Sequence, residues 1–397
     1  MTCPNDPPSN KPVPYRLGII AADDPYPYYR SLRDEDPAHY SEVEDVWVLT
    51  RFEDVAAAFK DWKTWSSQKR GNLLNDIPER IGKTLGTTDP PLHTFARGVV
   101  DQSFTPKTVE KLTSTVSELA RQLTREARDR GSIEFVADIS APFNAAILGE
   151  MFGVPRSDFI LLRHWLDDFF KREHTPDGEE PKQVIAMRKL NEYLDQLAGD
   201  RLSNPQDDLM TAMLTAEKDG RKLTREQVVV TTMTFLTAGF ESTNNLFTNL
   251  AHALAVVPRL YAELEPELID NFIEEGMRWD AAAQGFVRTP TQDVEVHGKR
   301  IPEGAQVLLQ IGSANRDERA FDEPDWFDPR RKIKRHLGMG LGRHFCVGAP
   351  LGRLMAKSIF AELLPASQRW DVDLAGAERV RTPNFRGFTK LPLVLAD

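Results

Sequence analysis

Residues 338–348 read Gly338-Met339-Gly340-Leu341-Gly342-Arg343-His344-Phe345-Cys346-Val347-Gly348. Glycines at 338, 340 and 342 let the backbone turn tightly and come close to a flat ligand, because no Cβ stands in the way. After the cysteine, Leu351, Leu354 and Met355 recur at helical spacing, which places Cys346 just ahead of a helix N-terminus. The unpaired N–H groups and dipole of such a terminus favour the thiolate, the form that an anionic metal ligand requires. A solitary cysteine is ordinarily a small buried hydrophobe. The glycine spacing sets this one apart.

Upstream, the longest periodic stretch begins at Thr224, with Gln227 completing a capping box and Leu223 placed for a hydrophobic staple, and runs to about Val257. Such a helix crosses roughly 50 Å, the width of a domain. Its apolar face is interrupted at Thr237-Ala238-Gly239-Phe240-Glu241-Ser242-Thr243-Asn244-Asn245, a run that costs helix propensity and so suggests a local gain in exchange. A second helix is expected over Thr108–Arg130, where Val109, Leu112, Val116, Leu119 and Leu123 repeat. Strand signals are small: Val46–Thr50, then Val294–Val296 and Ala305–Gln310 around His297-Gly298, read as short hairpins rather than a central sheet. The fold class is mainly α.

The chain has 397 residues, with 50 Lys+Arg against 60 Asp+Glu for a net charge of -10, which argues against a nucleic-acid binder with a broad basic face. Two cysteines, Cys3 and Cys346, exclude a disulfide framework and any zinc site of several thiolates, and they fit a reducing cytoplasm. Met1–Tyr15 lacks a signal-peptide apolar region or a membrane anchor. No strand is followed by GxGxxG and a helix, so a dinucleotide domain is rejected. No linker interrupts the pattern: residues 1–15 read as a flexible tail and 16–397 as one domain, with no membrane association expected.

Taken in order, several blocks resemble the cytochrome P-450 family. Gly340-x-Gly342-x-His344-x-Cys346-x-Gly348 is similar to its haem-binding loop, Glu275-Gly276-Met277-Arg278 to its Glu-x-x-Arg motif, and Phe327-Asp328-Pro329-Arg330-Arg331 to the segment whose arginine, here Arg331, locks onto that pair. Ala238-Gly239-Phe240-Glu241-Ser242 resembles the oxygen-binding kink of its long central helix, and Asp89–Arg97 the start of its haem-contacting helix. The resemblance covers roughly residues 16 to 395. It departs at Met339, where the family usually has phenylalanine, and at Ser242, where it usually has threonine.

The resemblance implies a single haem domain with a long central helix and small β-sheets. It makes Cys346 the axial ligand of haem b iron, and gives His93, Arg97, Arg288 and His344 to the haem propionates, whose charge needs partners in an apolar pocket. Ala238, Gly239, Met339 and Gly340 would border the haem, Glu241 and Ser242 would deliver protons, and Glu275, Arg278 and Arg331 would be structural. Substrate-facing segments would be Gly71–Leu85, the region of Phe169–Glu173, Phe240, Ala282–Phe286 and Asn384–Phe388. Phe240, Phe286 and Phe388 suggest a small apolar, aromatic or terpenoid substrate. The implied reaction is insertion of one atom of O2 by hydroxylation or O-dealkylation, in a monomer fed by an external ferredoxin and ferredoxin reductase. Arg343, Lys107, Lys111 and Arg353 are the cations expected to meet that donor. A peroxide-driven peroxygenase and a haem-based sensor remain as alternatives; the acid and alcohol at 241 and 242 favour the monooxygenase.

Overall fold

The computed structural model describes residues 16, 18–19, 22–74, 76, 80–170, 180–364, 370–382 and 384–395. The tail expected over 1–15, with Cys3, lies outside the described residues, as do 75, 77–79 and 171–173 of the expected substrate-facing segments.

Thr224 opens the longest helix, Arg225–Val256. Its Oγ1 accepts from the Gln227 N–H at 3.2 Å while Gln227 Oε1 accepts from the Thr224 N–H at 3.0 Å, so two donors that a helix start leaves unpaired are satisfied. Leu223 is buried beside them. The helix continues unbroken through the polar stretch, and its hydroxyls explain how: Thr231, Thr234, Thr237 and Ser242 each donate to the carbonyl four residues earlier. From the neighbouring helix Ala141–Phe152, Asn144 donates to Phe240 O at 2.8 Å and Gly239 O at 3.3 Å.

The helix expected over Thr108–Arg130 is two, Pro106–Lys111 and Thr113–Arg130. Thr105 and Thr108 cap each other's ends ahead of Pro106, which starts the first helix before its apolar periodicity begins, and Leu112 N–H steps back only to Val109 O. Gly131, in the left-handed conformation at φ 70°, stops the second.

The strands differ from expectation in their partners. Val46–Leu49 and Val307–Gln310 run parallel, Trp47 opposite Val307 and Leu49 opposite Leu309. Both belong to a five-stranded sheet ordered Ala38–Ser41, Val46–Leu49, Val307–Gln310, Gly285–Pro290, Trp65–Ser66. Gly285–Pro290 escaped notice because nearly all its residues are buried, which erases the alternation of a half-exposed strand. Val294–Val296 and Lys299–Ile301 do form a hairpin, with His297 and Gly298 at φ 52° and 73° as a tight two-residue turn requires.

The loop 384–388 gathers distant segments. Asn384 Oδ1 accepts from the Leu74 N–H at 3.2 Å and its Nδ2 donates to Gly285 O at 3.1 Å. Arg386 pairs with buried Asp280 at 2.9 Å and donates to Ala22 O and Asp23 O.

Helix Ile269–Trp279 carries a fully buried ion pair, Glu275 with Arg278, joined by two bonds of 2.7 Å. Arg331 Nε adds a third bond to Glu275 at 3.1 Å and spreads its remaining N–H groups over Asp322 O, Glu323 O and Trp326 O. Arg278 reaches Asn315 O and Pro324 O. Changing Glu275 to glutamine keeps the shape but strands buried Arg278 without its counter-charge. It is expected to cost about 3–5 kcal/mol, read as a lowered urea midpoint; an unchanged midpoint would show that the pair stabilises nothing.

Candidate functional site

The segment 338–348 folds as a turn seated on other backbone. Gly338 lies against the Glu-x-x-Arg helix, where a Cβ would stand 2.6 Å from Met277 O. Gly342 is at φ 72°, and a Cβ there would stand 2.7 Å from Phe59 O. Cys346 N–H donates to Met339 O at 3.0 Å, closing the turn, and Gly348 caps the helix Ala349–Leu363.

Cys346 is accessible to water yet enclosed by protein, as a residue on an interior concave surface is. Burial is the leading influence on its thiol and pushes the pKa up, against the lowering effects of the Gly348 N–H, Arg97, Arg353 and the Ala349 N–H. The thiolate stabilisation expected from a helix start is therefore present but outweighed. A metal would complete the deprotonation, because coordination displaces the thiol proton outright. Ala238 is likewise exposed although it sits mid-way along a helix buried on either side, whereas Gly239 packs on Leu148, where a Cβ would stand 3.3 Å from Cδ2.

A group of cations and imidazoles lies nearby in the fold. Arg288 is buried, bonds Val287 O at 2.7 Å, stands over the Phe59 ring at 5.2 Å, and has no carboxylate ion-pair partner among the described residues. Burial lowers its pKa to about 10, with Asp89 acting the other way. His93 and His344 face each other at 4.4 Å between ring centroids. His93 Nδ1 is buried and has no hydrogen-bond partner, while His344 Nε2 is 3.2 Å from Ser67 Oγ. Burial first, then neighbouring cations, lowers His93 to about 4; burial, then Arg288 and His93, lowers His344 to about 2. Both rings are neutral at pH 7. Arg97 is committed differently: it pairs with Asp101 at 2.7 Å and donates to Phe345 O at 2.8 Å and Arg343 O at 3.4 Å, so it clamps the cysteine turn.

On the central helix, Glu241 is partly buried and Ser242 Oγ donates to Ala238 O at 2.7 Å, so in this conformation the hydroxyl proton is held by the helix itself. Phe240 is buried and stacks on Phe170 at 6.3 Å, 14° between planes. Phe286 meets Phe385 edge-on at 6.4 Å. Phe388 is placed elsewhere: its ring lies between His252, at 5.0 Å, and Arg379, at 4.2 Å. His252 is ten residues beyond Ser242, roughly 15 Å along the helix. Within 384–388, Phe385 rather than Phe388 is the aromatic that joins Phe286. Buried Asn144 supports the Gly239-Phe240 backbone, a role that an asparagine in the apolar helical run Ala141–Leu148 hints at in the sequence.

Two of the expected docking cations are already paired. Lys111 bonds Asp207 at 2.8 Å, and Arg353 bonds Glu274 at 2.5 and 3.0 Å; Arg343, over the Trp62 ring at 5.3 Å, and Lys107 are exposed.

Residues 148–393 match the family model described as Cytochrome P450. The chain belongs to the cytochrome P450 family. It is 34% identical over 350 residues to cytochrome P450 109 of Bacillus spizizenii, covering 86% of this chain and 84% of that one. Among solved structures it is similar to cytochrome P450 CYP109Q5 from Chondromyces apiculatus, with a TM-score of 0.86, 29% identity and coverage of 95% and 97%. It is also similar to CYP109E1 from Bacillus megaterium in complex with corticosterone, with a TM-score of 0.85, 27% identity and coverage of 94% and 98%. The mainly α architecture with one long central helix and small sheets is the P450 fold, and the chain is an oxidoreductase of that family.

Family membership implies haem b, and the residues fit it. Accessible Cys346 offers the single thiolate that a porphyrin-held iron takes from a protein. Buried Arg288 and the unpartnered His93 Nδ1 suit an anion, which propionates supply. No helix among the described residues is long and apolar enough to cross a membrane. Gly342→Ala imposes a left-handed backbone on a residue with a Cβ and drives that Cβ into Phe59 O; strain of roughly 1–3 kcal/mol is expected. Haem content per chain should fall, while Gly352→Ala, whose nearest neighbour stands at 3.9 Å, should retain it; equal content in both would mean that the turn tolerates a Cβ.

Proposed function

We propose that the protein is a haem-thiolate monooxygenase that oxidises a small apolar substrate, aromatic or terpenoid, by hydroxylation or O-dealkylation. The observation that carries this is the accessible Cys346 in a glycine turn, together with buried Arg288 and the buried His93 Nδ1 nearby in the fold. When bound, haem b supplies dioxygen activation and insertion of one oxygen atom into the substrate.

The chain's own residues divide the remaining tasks. Cys346 Sγ would hold the haem iron, and Met339 packs beside the turn as polarizable bulk. Arg288, His93 and His344 would bind the propionates, while Arg97 holds the turn through Phe345 O and Arg343 O. Exposed Ala238 would border the space left for dioxygen. Phe240, Phe286, Phe170 and Phe385 form aromatic walls that orient an apolar substrate and exclude water. The Bacillus megaterium relative whose complex holds corticosterone supports an apolar ligand for this pocket class.

Proton delivery falls to Glu241 and Ser242. The carboxylate takes protons from solvent and the hydroxyl passes them inward at Oγ, which requires Ser242 to turn away from Ala238 O. Serine, lacking the γ-methyl of threonine, makes that rotation easily. Electrons come from a ferredoxin and its reductase, docked on the side of Cys346 near exposed Arg343 and Lys107. NADH-dependent turnover with those partners distinguishes this reading from a peroxide-driven peroxygenase or a sensor.

Cys346→His should abolish substrate oxidation and the red-shifted Soret band of the reduced carbonyl complex; a band that survives would refute the thiolate assignment. Ser242→Ala should still bind haem and substrate but divert most of the NADH consumed into hydrogen peroxide, with Ser242→Thr well coupled. Full coupling of NADH to product in both Ser242→Ala and Glu241→Gln would remove the relay.

A further inference from the structure

Helix Ala141–Phe152 is entered through a π-helical turn, Val136–Ser140, in which Ala141 N–H bonds Val136 O, five residues back. Ser140, Asn144 and Leu148 then follow at four-residue steps, and all three meet the central helix Arg225–Val256. Leu148 packs on Gly239, where a Cβ would stand 3.3 Å from its Cδ2. Ser140 Oγ donates to Asn244 Oδ1 at 2.6 Å. Between them, Asn144 Nδ2 donates to Phe240 O at 2.8 Å and Gly239 O at 3.3 Å, and stands 3.5 Å from Asn244 Oδ1.

The fold alone gives no reason for an amide at 144. In an unbroken helix, Gly239 O and Phe240 O already accept the N–H groups of Thr243 and Asn244. Asn144 is fully buried between apolar Phe143 and Ala145, and its own Oδ1 has no hydrogen-bond partner, a cost that an apolar side chain would avoid. What the amide adds is a second donor for two carbonyls that have one already. Ser242 Oγ does the same for Ala238 O at 2.7 Å, so three successive carbonyls, 238–240, each take a side-chain donor beyond the helix ladder. Extra donors of this kind weaken the ladder bond they share. The two sources differ in one respect: Ser242 belongs to the turn and moves with it, whereas Asn144 belongs to another helix. Gly239 O and Phe240 O therefore stay satisfied when the N–H groups of Thr243 and Asn244 let go.

We propose that Asn144 is a positioning residue for proton delivery: it sets how readily the central helix opens at Gly239-Phe240, the opening that lets the Ser242 hydroxyl leave Ala238 O and turn inward. The inference rests on the Glu241 and Ser242 relay. Ser140 limits the opening, because its bond to Asn244 pins the turn that follows.

The test is hydrogen–deuterium exchange in the full-length, haem-loaded enzyme, read at the amides of Thr243 and Asn244, beside the share of NADH recovered as product with the redox partners. Asn144→Leu keeps the branched shape and Asn144→Ala leaves space; neither can donate, and alanine decides alone if leucine does not pack. Without the second donor, the two amides should exchange several-fold more slowly. Coupling should fall toward that of Ser242→Ala, the difference appearing as hydrogen peroxide, with haem content unchanged. An asparagine that only holds two helices together gives the reverse pattern, in which its loss quickens exchange and lowers the urea midpoint while coupling is kept. Exchange that is unchanged or quicker in both variants overturns the proposal, and so does full coupling in both beside an uncoupled Ser242→Ala. Full coupling in Ser242→Ala itself defeats the relay instead, and the exchange rates alone then judge Asn144.

Discussion

Glu275 has no exposed surface, and a carboxylate so placed survives only if its charge is met inside the protein. Two arginines meet it, Arg278 from the same helix and Arg331 from a segment 56 residues away, and each also spends donors on backbone carbonyls of the long loop between them. Loop, arginines and helix Ile269–Trp279 are thereby bound as one unit. The cysteine turn is built on that unit: Gly338 packs on Met277 O, and Glu274 holds His336 and Arg353. The position of Cys346 thus depends on a charge that never touches a ligand.

The central helix supplies the opposite wall under a related constraint. Its polar middle would be costly in an apolar core, yet the hydroxyls of Thr237 and Ser242 find carbonyls within the helix, and Asn144 takes up the carbonyls of Gly239 and Phe240. In the proposed relay, Ser242 would have to give up its bond to Ala238 O before its hydroxyl could turn inward.

The parts legible in the sequence are those whose physics is local. The Thr224/Gln227 capping box, the His297-Gly298 hairpin and the glycine spacing before Cys346 depend on residues a few positions apart. What stayed hidden depends on distant partners. Gly285–Pro290 lost its alternation because both faces are covered, and Val46–Leu49 and Val307–Gln310, far apart in sequence, pair directly. Lys111 and Arg353 read as free cations until Asp207 and Glu274 are seen beside them. Phe388 and Phe385 are equally aromatic, and the backbone path of 384–388 alone decides which of them meets Phe286.

The clasp at Asn384 has a consequence for how the chain is made. Its bond to Leu74 spans 310 residues, and Arg386 reaches back to Ala22 and Asp23 over more. During synthesis, the segment around Leu74 and the strand Gly285–Pro290 emerge from the ribosome long before the side chain that joins them. Long-range closure of this kind is slow and leaves apolar surface uncovered in the meantime. For most of its synthesis, the growing chain lacks the Asn384 and Arg386 bonds that tie Leu74, Gly285 and residues 22–23 together.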